Sequence, residues 1–156
     1  LAEIKQRKPA TRGEDSDKDT FQKYFEKTKL TDEQRRKFNE VRKVIEKLDP
    51  NDISYGRIHN PIIYPYFDTV AGGDRAPLGL GSDGCFQFKL DALYDYVKNA
   101  GPGGETEESE LWKEQILSVP ELKKFYSKRG WGSYLKPKEW MPVHKEIIKI
   151  LKVLLA

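Results

Sequence analysis

The sequence predicts a mainly α protein: a small irregular bundle of five to six short helices, with a long ordered non-helical strap over residues 49–84 and an extended N-terminal arm. Three observations carry this. Apolar residues recur every three to four positions in most segments outside 49–84. Helix-capping patterns stand in front of several of those segments. Between Asp49 and Gly84, by contrast, proline, glycine, asparagine and aromatic residues replace the helical period.

The elements follow in order. Residues 1–18 form a polar arm, basic through Lys5, Arg7, Lys8 and Arg12 and then acidic. In the acidic block Asp15, Asp17, Asp19 and Glu26 match four ligand positions of a calcium loop, but Thr20 stands where that loop needs glycine. The simpler reading puts Asp17 and Asp19 at the positive end of a helix over Asp19–Lys29, with Phe21, Tyr24 and Phe25 on one side. Thr31 and Gln34 make a capping box for a helix to Leu48, whose stripe is Phe38, Val41, Ile45 and Leu48. Pro50 ends it.

The strap is too apolar for a free linker, with Ile53, Ile58, Ile62, Ile63, Tyr64, Tyr66, Phe67 and Val70. Near its end Gly79, Gly81 and Gly84 spell a dinucleotide-type glycine pattern. No buried strand precedes it and no helix opens after it, so these read as turn glycines. Residues 85–90 alternate like a strand. Asp91 caps a helix expected over Ala92–Asn99, broken by Gly101-Pro102-Gly103-Gly104. Thr106 opens a helix carrying Leu111, Trp112 and Ile116. Ser118 caps the next, with Pro120 in its first turn and Leu122, Phe125 and Tyr126 facing inward, and Gly130 stops it. The last helix starts near Trp140 or Pro142 and carries Val143, Ile147, Ile150, Leu151 and Leu154. Residues 19–156 therefore read as a single domain.

Composition narrows the function classes. With 28 basic and 25 acidic residues the net charge is +3, too balanced for a dedicated DNA binder, although local basic patches stay open. A lone cysteine, Cys85, excludes an internal disulfide and a cysteine metal cluster, and no cofactor is expected. No stretch nears the ~18 apolar residues of a membrane span, while peripheral membrane contact stays open. The chain begins at Leu1 rather than Met and ends in an apolar pattern. The expectation is an intracellular protein, inside an organelle if a targeting peptide has been removed, or a piece of a longer chain.

No catalytic constellation stands out. Cys85, His59 and Asp68 or Asp74 can be assembled into a nucleophile set on paper, but Phe86 and Phe88 point to a sheltered, inert thiol. An enzyme is not expected. The favoured reading is a non-catalytic structural subunit that docks onto other protein subunits of a larger complex. Its contacts would be the arm, the strap (Ile62, Ile63, Tyr64, Tyr66, Phe67) and the C-terminal helix (Leu151, Leu154, Leu155). In layout the chain resembles extrinsic subunits of organellar membrane assemblies, a likeness of architecture carried by no motif. The alternative is an RNA- or single-strand-contacting domain through Lys123–Trp140. There Lys124, Lys128, Arg129 and Lys136 would meet phosphates while Trp131 and Tyr134 stack on bases.

Overall fold

A computed structural model describes residues 17–56, 58–69, 73–95 and 103–156. Helix α1 (Lys18–Lys27) starts where the Asp17 carboxylate accepts a bond from the Thr20 amide at 2.8 Å, which holds that carboxyl below its usual range. Asp17 is thus a helix cap; Asp15 lies outside the described residues. Helix α2 (Asp32–Lys47) opens on the expected capping box between Thr31 and Gln34. Phe21, Phe25 and Phe38 lock the pair, with Phe25 and Phe38 ring centres 4.5 Å apart. The Arg35 guanidinium donates to the Phe25 carbonyl at 2.8 Å, closing the turn between the helices.

The strap is where the sequence reading fails. Residues 52–88 build a five-stranded antiparallel sheet, so the protein mixes helix and sheet and is not a helical bundle. The strands are β1 (Asp52–Ser54), β2 (Ile62–Asp68), β3 (Asp74–Arg75), β4 (Leu78–Gly81) and β5 (Phe86–Phe88). Their order is β1-β2-β4-β5, with β3 continuing the β4 side of β2. The β-branched and aromatic run from Ile62 to Phe67 suits a pleated surface. The residues read as loop formers fall at breaks and turns. Ser82-Asp83-Gly84 makes a three-residue hairpin loop, with Gly84 at φ +89°.

Pro65 sits inside central strand β2, an unusual place for a residue without an N–H. The ladder explains why it is tolerated. The Ile62 amide donates to Tyr55 and the Tyr66 carbonyl accepts from Asn51, so the even-numbered backbone groups of β2 face β1. The odd-numbered groups face the other neighbour. On that side Ile63 pairs with Leu80 and Phe67 with Arg75, with Ala76-Pro77 interrupting the strand between. The donor that Pro65 lacks would point at this break.

The remaining helices cover one face of the sheet. Leu90–Leu93 forms a 3-10 turn, and Tyr94 is extended, which corrects the helix expected over Ala92–Asn99; residues 96–102 lie outside the described set. The Asp95 amide donates to the Gly104 carbonyl at 2.8 Å. Helix α3 (Glu107–Leu117) is capped by Thr106 with Ser109. Ser118 terminates α3 instead of capping α4 (Pro120–Arg129), for which Val119 precedes Pro120 at the first position. A short α5 (Pro137–Trp140) and a 3-10 turn (Met141–Val143) lead into α6 (His144–Leu155). No helix among the described residues is long and apolar enough to cross a membrane.

A single core unites both layers. The inward residues Ile63, Leu78, Leu80, Phe86 and Phe88 of the sheet meet Phe38, Trp112, Ile116, Trp140, Ile147 and Leu151 of the helices. Trp140 is the pivot: fully buried, it donates from Nε1 to the Gly84 carbonyl at 2.7 Å. The Phe86 backbone also pairs with Leu135 through two hydrogen bonds, at 2.9 and 2.7 Å.

A candidate binding face on the sheet

Because side chains alternate along a strand, burying Ile63 and Phe67 turns Tyr64 and Tyr66 to the opposite face of β2. The register Ile63↔Leu80 places Gly79 directly across from Tyr64. The ring fills the space left by the missing side chain: a Cβ on Gly79 would stand 3.0 Å from Tyr64 Cε1 and 3.2 Å from Ile62 Cγ2. This aromatic-over-glycine pairing stiffens a strand that glycine otherwise weakens. The Lys89 ammonium lies 4.7 Å from the Tyr64 ring centre, a cation–π contact. Ile58, 46% exposed, stands in the loop that leads into β2.

Beyond Lys89 this face runs into a cleft of about 460 Å³, lined by Gln87, Lys89, Asp91, Tyr94, Trp131 and Gly132. Trp131 stacks on buried Tyr126 at 4.8 Å, and the Gln87 Nε2 group donates to the Gly132 carbonyl at 2.6 Å. The Gln87 Oε1 atom is buried and accepts no hydrogen bond. Lys113 of α3 brings its ammonium 5.4 Å from the Tyr94 ring centre and 5.9 Å from that of Trp131. Burial works to lower its pKa. The hydrogen bond with Tyr94 and the charges of Glu110 and Glu105 outweigh that, and the ammonium is held above its usual range.

The residues expected to carry docking divide sharply. Ile63 and Leu151 are buried in the core cluster, Phe67 is buried outside it, and Ile62 is buried beside Tyr64 on the opposite face of β2, so none of the four offers open surface. Tyr64, Tyr66, Leu154 and Leu155 are half-buried and still offer surface. Residues 1–16 of the arm, and Val70 of the strap, lie outside the described set.

Of the five rings in Lys123–Trp140, the two expected to stack on bases, Trp131 and Tyr134, keep exposed surface, while the other three are taken up by the fold. Trp140 and Tyr126 are core residues, and Phe125 is half-buried beneath the Arg129 guanidinium, 4.9–5.1 Å being the range of such stacks here and 5.0 Å this one. Tyr134 is exposed and Trp131 partly so, while Lys124, Lys128 and Lys136 are solvated. Arg129 is held in a two-point ion pair with Glu139, which depresses the Glu139 carboxyl to about 2. Sequence reasoning missed Gln87, Lys89, Tyr94 and Lys113, which come together only through the sheet.

The paper nucleophile set is not assembled. His59 Nδ1 meets the Tyr24 hydroxyl at 3.1 Å, and Asp68 and Asp74 both accept from Asn51. Burial, then the neighbouring Asp83 carboxylate, pushes the Cys85 thiol up to about 12. His144 is buried between the Met141 carbonyl at 3.2 Å and Glu40 at 2.9 Å. Among the described residues no group of three or more His, Cys, Asp or Glu is placed to hold a metal ion.

Compared with models of known families, with curated proteins and with solved structures, the chain gives no significant match.

Proposed function

We infer that this chain is a non-catalytic binding module that docks onto other protein subunits of a larger assembly through the face of its sheet opposite the helical core. One observation carries the reading. On β2 the face opposite core residue Ile63 presents half-buried Tyr64 and Tyr66 beside buried Ile62. Half-exposed tyrosines on a rigid strand are suited to anchoring a protein partner, since they bury large area with little side-chain entropy to lose. Lys89, a cation on that face, favours a partner segment carrying acidic side chains among its apolar ones. The thiol and both histidines are engaged in structural contacts, which fits a binding role.

The test is native electrophoresis of the full chain, tagged in its source cells. Wild type is expected to migrate in an assembly, Tyr66→Ala to fall out of it, and Leu111→Ser, on the helical side, to stay. Migration of the wild type as a free monomer, or assembly of Tyr66→Ala at unchanged yield, overturns the reading.

A further inference from the structure

His144 opens α6 and is only 4% exposed, so its ring must find its hydrogen-bond partners inside the protein. Nδ1 stands 3.2 Å from the Met141 carbonyl, and Nε2 stands 2.9 Å from a Glu40 carboxylate oxygen. Both partners only accept: a carbonyl has no proton to give, and a carboxylate has none while ionised. The Met141 carbonyl already takes the His144 backbone N–H, and its second lone pair faces Nδ1. A neutral imidazole carries one N–H, so either tautomer leaves a ring lone pair pointing at an oxygen. Only the imidazolium, with two donors, satisfies both contacts. His59, the second histidine of the chain, differs: its Nδ1 meets the Tyr24 hydroxyl, which can donate or accept.

We propose that His144 and Glu40 form a proton-operated latch that fastens the first turn of α6 onto α2, closed as imidazolium and carboxylate and loosened when the ring gives up its second proton. The surrounding charges are mixed. On α2, Arg36 pairs with the other Glu40 oxygen, and Lys37 reaches back to Glu33 at 3.8 Å. On α6, Lys145 follows the ring and Glu146 lies in the same turn, while the Met141–Val143 turn carries no charge. Arg36 and Lys145 oppose a second proton on the ring. The Glu40 side chain is 37% exposed, so water screens those charges more than it weakens two short-range hydrogen bonds to a buried ring. The His144 hydrogen bond first, then the charges of His144, Arg36 and Lys145, outweigh desolvation and hold the Glu40 carboxyl below its usual range. Stability from Glu40 is therefore present above about 4.5 and lost as pH falls. Stability from the doubly protonated ring has the opposite sign: present on the acid side of the histidine range and lost as pH rises through it. The latch is closed between these limits. The inference goes beyond the docking role and does not rest on it, because docking uses Tyr64 and Tyr66 whereas this pair joins two helices.

Urea unfolding of the full chain between about pH 5.5 and 8.5 tests the latch. Relative to His144→Gln, wild type should lose at least ~5-fold in its folding equilibrium constant over that span. Glu40→Gln should remove most of this extra loss, and His59→Gln should keep it. A second readout uses wild type alone. Proton NMR at about pH 6.5 should show two exchange-protected ring N–H signals for His144, assigned by their proximity to Met141, and only one at about pH 8.5. A single protected ring N–H at about pH 6.5, or the same pH dependence in wild type and His144→Gln, overturns the proposal. Transfer of the effect to His59→Gln overturns it equally.

Discussion

Replacing Trp140 by phenylalanine tests the joint between the sheet and the C-terminal helices. The indole is fully buried, its Nε1–H reaches the Gly84 carbonyl at 2.7 Å, and its ring centre lies 5.6 Å from that of Phe86. Phenylalanine keeps the aromatic contacts but leaves the carbonyl of buried Gly84 without this donor, a loss of about 1–3 kcal/mol. The missing part of the indole, roughly 35–40 Å³, adds about 1 kcal/mol at ~24 cal/mol per Å³ of cavity. The sum is about 2–4 kcal/mol, a large share of the ~5–15 kcal/mol typical of a domain. Urea unfolding followed by circular dichroism measures it. At a slope of about 2 kcal/mol per M, the midpoint should fall by about 1–2 M with the slope unchanged. A loss under ~0.5 kcal/mol would refute the claim that this indole ties the hairpin to α5, since neither a bonded N–H nor a filled cavity is compatible with it.

Three further outcomes are expected. Gly79→Val should destabilise by about 1–3 kcal/mol, because its side chain occupies the space of the Tyr64 ring; adding Tyr64→Ala should recover part of that in a double-mutant cycle, and strict additivity would contradict the pairing. Cys85, with its thiol pushed up to about 12, should react with iodoacetamide at pH 8 at least ~100-fold more slowly than free cysteine, and recover full reactivity in denaturant. Glu139 titrates at about 2 in the fold against an ordinary 4.5. Its ion pair therefore contributes stability that is fully present above about 4.5 and lost as pH falls toward 2. The urea midpoint gap between wild type and Glu139→Gln should close over that interval, and a gap that is constant with pH would count against the pair.

The helices were legible because each advertises itself locally. Thr31 with Gln34, Thr106, and Pro120 at a first turn are short-range signals, and the stripe Ile147, Ile150 and Leu151 keeps helical spacing. The sheet was not legible, since its strands run two to seven residues and each depends on partners distant in sequence. Pro65, Pro77 and three glycines look like loop chemistry until the register shows what they face. The run Ile62–Phe67 nevertheless held the signal in its β-branched and aromatic content. The candidate site suffered the same blindness. Gln87, Lys89, Tyr94, Lys113 and Trp131 belong to four separate stretches that only the fold brings together.

The bond from Trp140 to Gly84 spans 56 positions, and that from His144 to Glu40 spans 104. A chain emerging from the ribosome therefore has its glycine hairpin long before it has the indole that anchors it. Until Leu135 is made, β5 lacks that partner and presents an open edge to whatever is nearby. Synthesis of Leu135–Trp140 is then the step that seals this edge, and a ribosome stalled before it would leave an unfinished sheet ready to pair with the wrong neighbour.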